Sequence, residues 1–227
     1  MPRDKAKYTM YENILRLPLF QGLGEDDLTS LLEKMKFVFR RYSPGETIAS
    51  KGEELKGLRF FFNGTLLSVL ASEKPLYRVT EKHTQPMALE PSSLFGILPE
   101  YRRDYIAESN VDTLFLSKKH VIEDLSDYAI FRVNFFNLLC RRIQETEEKK
   151  MEYFSSGARN KITTFFFSQT LRVEGPKLFK INMTELAEII DETRLKVSDA
   201  LNTMSSEGII EISRGSILIP DMTKLKI

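Results

Sequence analysis

The chain has no tryptophan, one cysteine and two histidines among its 227 residues. Cys140 alone cannot close an intrachain disulfide or supply the four thiolates of an iron–sulfur cluster, so disulfide scaffolds and cluster-based sensors are excluded. Only His83 and His120 are available as axial ligands to a haem. A lone His is more often an ordinary surface or capping residue, and no cofactor is expected. No apolar run reaches the ~18 residues of a membrane span. The N-terminal stretch MPRDKAKYTMYENILRL lacks the apolar core of a signal peptide, so the expectation is a cytoplasmic protein with no membrane partner. Surplus charge is missing too: 33 Lys/Arg against 32 Asp/Glu leaves a net charge of +1. The segment 158–227 repeats that balance, with ten Lys/Arg against nine Asp/Glu. Any contact with nucleic acid must come from local placement, and its salt dependence should be moderate. No Cys-His or Ser-His-Asp pairing, phosphate loop or metal-spaced His/Glu set is present, so no enzyme is expected.

What is there is organised around INMTELAEIIDETRLKVSDALNTMSSEGII, from Ile181 to Ile210. It reads as two short amphipathic helices with a tight break between them. Asn182 with Glu185 three residues on is an Asn form of the capping box, and Leu186, Ile189 and Ile190 make one apolar stripe. The break falls at Asp191-Glu192-Thr193, where Asp is among the few non-glycine residues that tolerate a left-handed turn. Thr193 can cap the second helix, whose inner face is Val197, Leu201 and Met204. Arg194, Lys196, Ser198, Asp199 and Asn202 are left on the outer face, a polar, hydrogen-bonding surface of the kind that suits a DNA major groove. After it, Ile209 to Ile212, Ser213-Arg214-Gly215-Ser216 and Ile217 to Ile219 read as strand, turn and strand. This is the wing of a winged helix-turn-helix, with Arg214 at its tip placed to reach a phosphate.

Upstream, Tyr11 to Phe20 and Glu25 to Phe37 read as helices, the second with Leu28, Leu31, Leu32 and Met35 as its stripe. From Val38 the pattern changes to short β runs punctuated by Gly45, Gly52, Gly57 and Gly64. Leu58 to Phe62 and Thr65 to Leu70 flank Asn63-Gly64 as an expected hairpin; Tyr77 to Thr80 and Asp112 to Leu116 continue the series. Short strands so spaced predict a small antiparallel roll. Helical spacing returns near His120 and runs on without Gly or Pro to Gly157. Such a helix, ~45 Å long for ~30 residues, exceeds what one side of a small domain covers. A symmetry mate would bury the surplus seam, with Phe135, Leu139 and Ile143 near the contact; the alternative is that the seam packs on the roll of its own chain. Lys161 to Leu171 then opens the C-terminal domain. The alternative to DNA reading is a ligand-binding or protein-interaction module whose helix-turn-helix meets only protein.

This order resembles the CRP/FNR family of bacterial transcription regulators. The resemblance is carried by Leu17-Pro18-Leu19-Phe20, by Pro44-Gly45-Glu46-Thr47-Ile48 with Gly52-Glu53, and by the strand ending at Gly64. Arg141-Arg142, Thr184-Glu185-Leu186-Ala187 and the tail from Ile217 through Asp221 to Leu225 complete it. It implies an α+β chain in three parts. Residues 1–126 would be a cyclic-nucleotide-binding-like antiparallel β-roll of the double-stranded β-helix type, 127–157 a long dimerisation helix, and 158–227 a winged helix-turn-helix. It also implies a homodimer on a roughly palindromic operator, with double-stranded DNA and RNA polymerase as partners. The DNA-binding set is then Thr193, Arg194, Leu195, Lys196, Ser198, Asp199, Asn202 and Arg214. Leu195 and Asp199 depart from the Glu and Arg that many relatives carry, so the operator should differ. Leu195 can meet a thymine methyl, and Asp199 can accept from a cytosine amine or hold Arg194 in place. The family's cyclic-nucleotide cassette falls on 94–104, where Phe95, Gly96, Ile97, Arg102 and Arg103 form the candidate effector pocket. Gly96 fits, but Ile97 stands where a Glu would take the ribose hydroxyl, and both arginines precede a charged residue. Cyclic AMP is therefore not expected. The roll takes an unknown small molecule, or its own aromatic side chains fill it.

Overall fold

The computed structural model describes residues 10–153 and 157–225. The fold is α+β, with antiparallel sheets and a C-terminal helix-turn-helix. Pro18 cuts the first expected helix short: α1 covers Met10–Leu15, Leu17 is extended, and Pro18–Phe20 makes a single 3-10 turn. α2 covers Glu25–Lys34 and stops short of Phe37, because Met35 is already extended. Three carboxylates in its first turn and Lys34 in its last suit the helix dipole.

The strands are β1 (Val38–Tyr42), β2 (Thr47–Ala49), β3 (Gly57–Asn63), β4 (Leu66–Glu73), β5 (Leu76–His83), β6 (Met87–Ala88), β7 (Asp104–Ala107) and β8 (Val111–Ser117). One sheet has the order β1-β8-β3-β6. In its register Phe60 faces Leu114 and Arg59 faces Phe115. Phe60 packs edge-on to Phe20 at 5.5 Å, and Phe20 in turn meets Phe131 at 5.8 Å. Gly57 is required here, since a Cβ would lie 2.1 Å from the Leu116 carbonyl oxygen.

The hairpin expected at Asn63-Gly64 does not form. β3 and β4 belong to different sheets, and Asn63-Gly64 is the corner between them. The Asn63 side-chain carboxamide nitrogen donates to the Asp112 carboxylate at 2.9 Å, which ties the end of β3 to β8. Gly64, at φ +95°, passes so close to the Asn110 carbonyl that no side chain fits. The chain leaves the first sheet there and does not fold back onto it.

Helical spacing resumes in three pieces where one long helix was expected: α3 (Lys118–Glu123), a 3-10 turn at Leu125–Asp127, and α4 (Ala129–Tyr153). Ser117 caps α3 by accepting from the His120 amide at 3.3 Å. The expected extension of the long helix over 154–156 lies outside the described residues.

The C-terminal region contains α5 (Ala158–Ser168), β9 (Lys177–Lys180), α6 (Met183–Ile189), α7 (Arg194–Ser206), β10 (Glu211–Ser213) and β11 (Ser216–Ile219). By backbone contacts the chain divides into two compact units. One comprises 1–66, 84–102 and 107–140; the other comprises 67–83, 103–106 and 141–227. In the second unit the strand order is β10-β11-β9-β5-β4-β7. The wing is thus continuous with β5: Arg78 pairs with Lys180, Val79 with Phe179, Thr80 with Leu178 and Glu81 with Lys177. Its core contains Val79, Ile162, Phe166, Phe179, Leu186, Val197, Leu201 and Ile219, each wholly buried. Phe166 and Phe179 have ring centroids 4.6 Å apart, and Tyr77 of β5 packs edge-on to Phe165 at 5.5 Å.

Candidate nucleic-acid interface

The helix-turn-helix follows from local chemistry. The Asn182 carboxamide oxygen accepts from the Glu185 amide at 2.9 Å, and its nitrogen donates to the Glu185 carboxylate at 2.7 Å. α6 ends with Asp191 in the left-handed conformation, φ 51°. The Glu192 amide donates to the Ala187 carbonyl at 3.0 Å and the Asp191 amide to Glu188 at 3.4 Å, the two bonds of a Schellman motif with Asp in the glycine position. Thr193 Oγ1 then accepts from the Lys196 amide at 3.4 Å and starts α7.

Val197, Leu201 and Met204 are wholly buried, so the opposite face of α7 is turned outward. Thr193, Arg194, Lys196, Asp199 and Asn202 are exposed, Ser198 is half-buried, and Leu195 is 71% exposed. Arg194, Ser198 and Asn202 stand at i, i+4 and i+8; Leu195 and Asp199 line the adjoining row. Asp199 and Arg194 make no ion pair among the described residues. Arg214 is exposed in a two-residue turn between Ser213 and Ser216, with Gly215 at φ 71°.

Two anchors of this surface were not read from the sequence. Glu192 accepts from Lys196 Nζ at 3.0 Å and pairs with Lys161 Nζ of α5 at 3.0 Å. Lys161 also donates to the Asp191 carbonyl at 3.1 Å, which pins the turn to α5. These bonds, Lys196 foremost, hold the Glu192 carboxyl below its ordinary range. Arg159 makes a two-pronged bond to Glu207 (2.7 and 2.8 Å), fixing the far end of α7. Lys161 and Arg159 lie some thirty and forty-eight positions from their partners, and no local pattern links them.

The candidate effector residues have separate surroundings. Ile97 is 100% exposed, and Phe95, Gly96 and Arg102 are exposed as well. Phe95 lies edge-on to Phe135 at 6.0 Å, with Lys118 Nζ 5.1 Å above its ring. The Arg102 amide donates to Glu90 at 2.8 Å. Arg103 is buried in an ion pair with Glu81 at 2.8 Å. Elsewhere in the first unit a small cleft of about 190 Å³ is lined by Glu53, Glu54, Lys56, Arg59, Tyr101 and Phe115. Burial raises the Tyr101 phenol to about 12.

Of the expected dimer-contact residues, Phe135 is 8% exposed and stacks on Phe131 within its own unit, Leu139 is half-buried and Ile143 is exposed. Among the described residues the exposed large apolar side chains of α4 are Val133, Phe136 and Ile143, which with exposed Cys140 are spaced three, four and three apart. His83 is buried against Ser68 at 2.8 Å, its pKa lowered to about 3 by burial first and then by Lys177, Arg172 and Arg103. His120 bonds Asp124 at 2.9 Å. No described helix is long and apolar enough to cross a membrane.

Residues 161–226 match the family model of the Crp-like helix-turn-helix domain. No curated protein matches the sequence. Among solved structures, the catabolite activator protein of Thermus thermophilus is similar with a TM-score of 0.51 at 21% identity, over 92% of this chain and 96% of that one. The c-di-GMP-responsive regulator CLP of Xanthomonas campestris gives 0.51 at 11% identity, over 87% and 99%. A structure from Eubacterium rectale assigned to the CRP/FNR family of transcriptional regulators gives 0.50 at 17% identity, over 92% and 95%.

Proposed function

We propose that this chain, which has the fold of the CRP/FNR regulators and carries a Crp-like helix-turn-helix domain over 161–226, is a transcription regulator that binds a roughly palindromic DNA operator as a homodimer. The observation that carries this is α7: a Thr-capped helix whose inner face is wholly buried and whose outer face presents Arg194, Ser198, Asp199 and Asn202 to solvent, beside a wing with Arg214 at its tip. In this reading 1–126 is the sensor, 127–157 the dimerisation helix and 158–227 the DNA-reading domain. Arg194 forks onto a guanine, and Leu195 and Asp199 give the operator a sequence of its own. Thr193 and Lys196 at the start of α7 and Arg214 on the wing take phosphates.

The dimer rests on α4. Val133, Phe136, Cys140 and Ile143 fall at the a and d positions of one heptad frame and are exposed in the single chain, so a second copy would bury them in a two-stranded coiled coil. RNA polymerase is the expected partner once the operator is occupied.

Selection of bound sequences from random duplex DNA, with the purified protein and no added ligand, tests the reading. An enriched motif with two-fold symmetry is the expected result. No enrichment, with or without cell metabolites, would transfer the helix-turn-helix to a protein-interaction role, which the near-neutral charge favours. Calorimetry with cyclic AMP and cyclic GMP should register no heat, because Ile97 offers no acceptor for a ribose hydroxyl.

A further inference from the structure

In the second unit the Glu81 carboxylate on β5 is wholly buried and heavily bonded. One oxygen accepts from Arg103 Nη1 at 2.8 Å and from the Leu171 amide at 2.9 Å. The other accepts from the Leu171 and Arg172 amides at 3.0 and 3.4 Å, with Lys177 Nζ 3.5 Å away. The two cations are fastened in turn. Arg103 Nη2 donates to the Gln169 carbonyl at 2.6 Å, and Lys177 Nζ to the carbonyls of Glu174 and Gly175 at 2.6 and 3.2 Å. Tyr77, also on β5, donates to the Gln169 side chain at 2.9 Å. All these bonds converge on 169–177, the crossing that carries the chain from α5 into β9 and the helix-turn-helix.

A buried carboxylate is costly unless cations and amides satisfy it, and this one is satisfied by both. Arg103 is one of the two arginines that the family resemblance offers to a ligand's anion. Its guanidinium faces a carboxylate supplied by the chain itself. We propose that Glu81 is a built-in effector: it occupies Arg103 from within and clamps the 169–177 crossing, so that the DNA-reading domain is held ready without a small-molecule ligand. This deepens the DNA-binding reading and rests on it.

The experiment uses full-length wild type, Glu81→Gln and Glu81→Ala on the duplex selected by the wild type, with no ligand present. Glu81→Gln keeps the shape and removes the charge; operator affinity should fall about tenfold or more, a typical coupling between sites. Hydrogen exchange at Leu171 and Arg172 should accelerate while α6 and α7 keep their protection. Glu81→Ala leaves room for a free carboxylate, so acetate should restore part of the affinity where chloride at equal ionic strength does not. Glu81→Gln binding as tightly as wild type, or more tightly, overturns the proposal, as does acetate acting no better than chloride. If either variant fails to fold, wild-type exchange decides: Leu171 and Arg172 must be among the slowest amides, and rapid exchange there sinks the clamp. Should the wild type select no duplex at all, the DNA-binding reading fails on its own, and the exchange data still judge the clamp.

Discussion

Asp191 was legible as the turn because so few residue types accept φ near +50°, and the structure puts it at 51°. Asp191→Gly should leave stability nearly unchanged, whereas Asp191→Val should cost roughly 1–2 kcal/mol in urea unfolding, because a branched Cβ meets the following carbonyl. Leu201→Ala removes a wholly buried side chain from the α7 core and should cost about 2–5 kcal/mol in the same measurement. His83 makes a prediction in pH. Its folded pKa, about 3, lies below the ordinary 6.5, so the unfolded chain takes up a proton that the native state refuses. Stability should fall as pH drops below 6.5, by up to about 1.4 kcal/mol per unit between pH 6 and 5, and His83→Gln should flatten that slope. Caps and turns were readable because their partners sit three to five positions away. The partners of Glu81 were not: the Leu171 amide lies 90 positions on, and a Glu in an alternating strand carries no sign that it faces inward.

At the scale of elements, α7, α6 and the wing emerge as the apolar periodicity predicts, while the strand partnerships do not. Asn63-Gly64 has hairpin chemistry and makes a corner, because Asn63 is held by Asp112 and β4 finds its partners in the other sheet. Periodicity placed the α4 seam on Phe135, Leu139 and Ile143, and of these only Ile143 is exposed. Phe135 turns toward Phe131 and Phe95 of its own unit, which leaves Val133, Phe136, Cys140 and Ile143 outward. The wild type should sediment as a dimer and Phe136→Glu as a monomer, with far-UV circular dichroism unchanged. Mild oxidation should link Cys140 to its counterpart in a second copy, since an a-position pair in a parallel coiled coil lies near disulfide range. A protein that stays monomeric on oxidation would count against this seam.

For the whole molecule, the net charge of +1 means that the proposed DNA contact depends on a few placed cations. Arg194→Ala should cost ~1–3 kcal/mol on the selected operator and relax preference at one base pair, while Arg214→Ala should weaken all duplexes alike and lower the salt slope by about one. Competition binding at several salt concentrations separates the two.

The β5–β9 ladder also bears on how the chain is made. Arg78 and Lys180 pair across roughly a hundred residues, so β5 leaves the ribosome long before its partner exists, and this pairing is slow to close. Until then β5 is a bare strand edge, open to mispairing with other nascent chains. The same ladder sets a rule for dissecting the protein. A fragment starting near Gly157 would keep every residue of the helix-turn-helix and lose the strand that covers β9 and the carboxylate that answers Lys177. Such a piece should be poorly soluble, and appending 67–83 through a linker should rescue it.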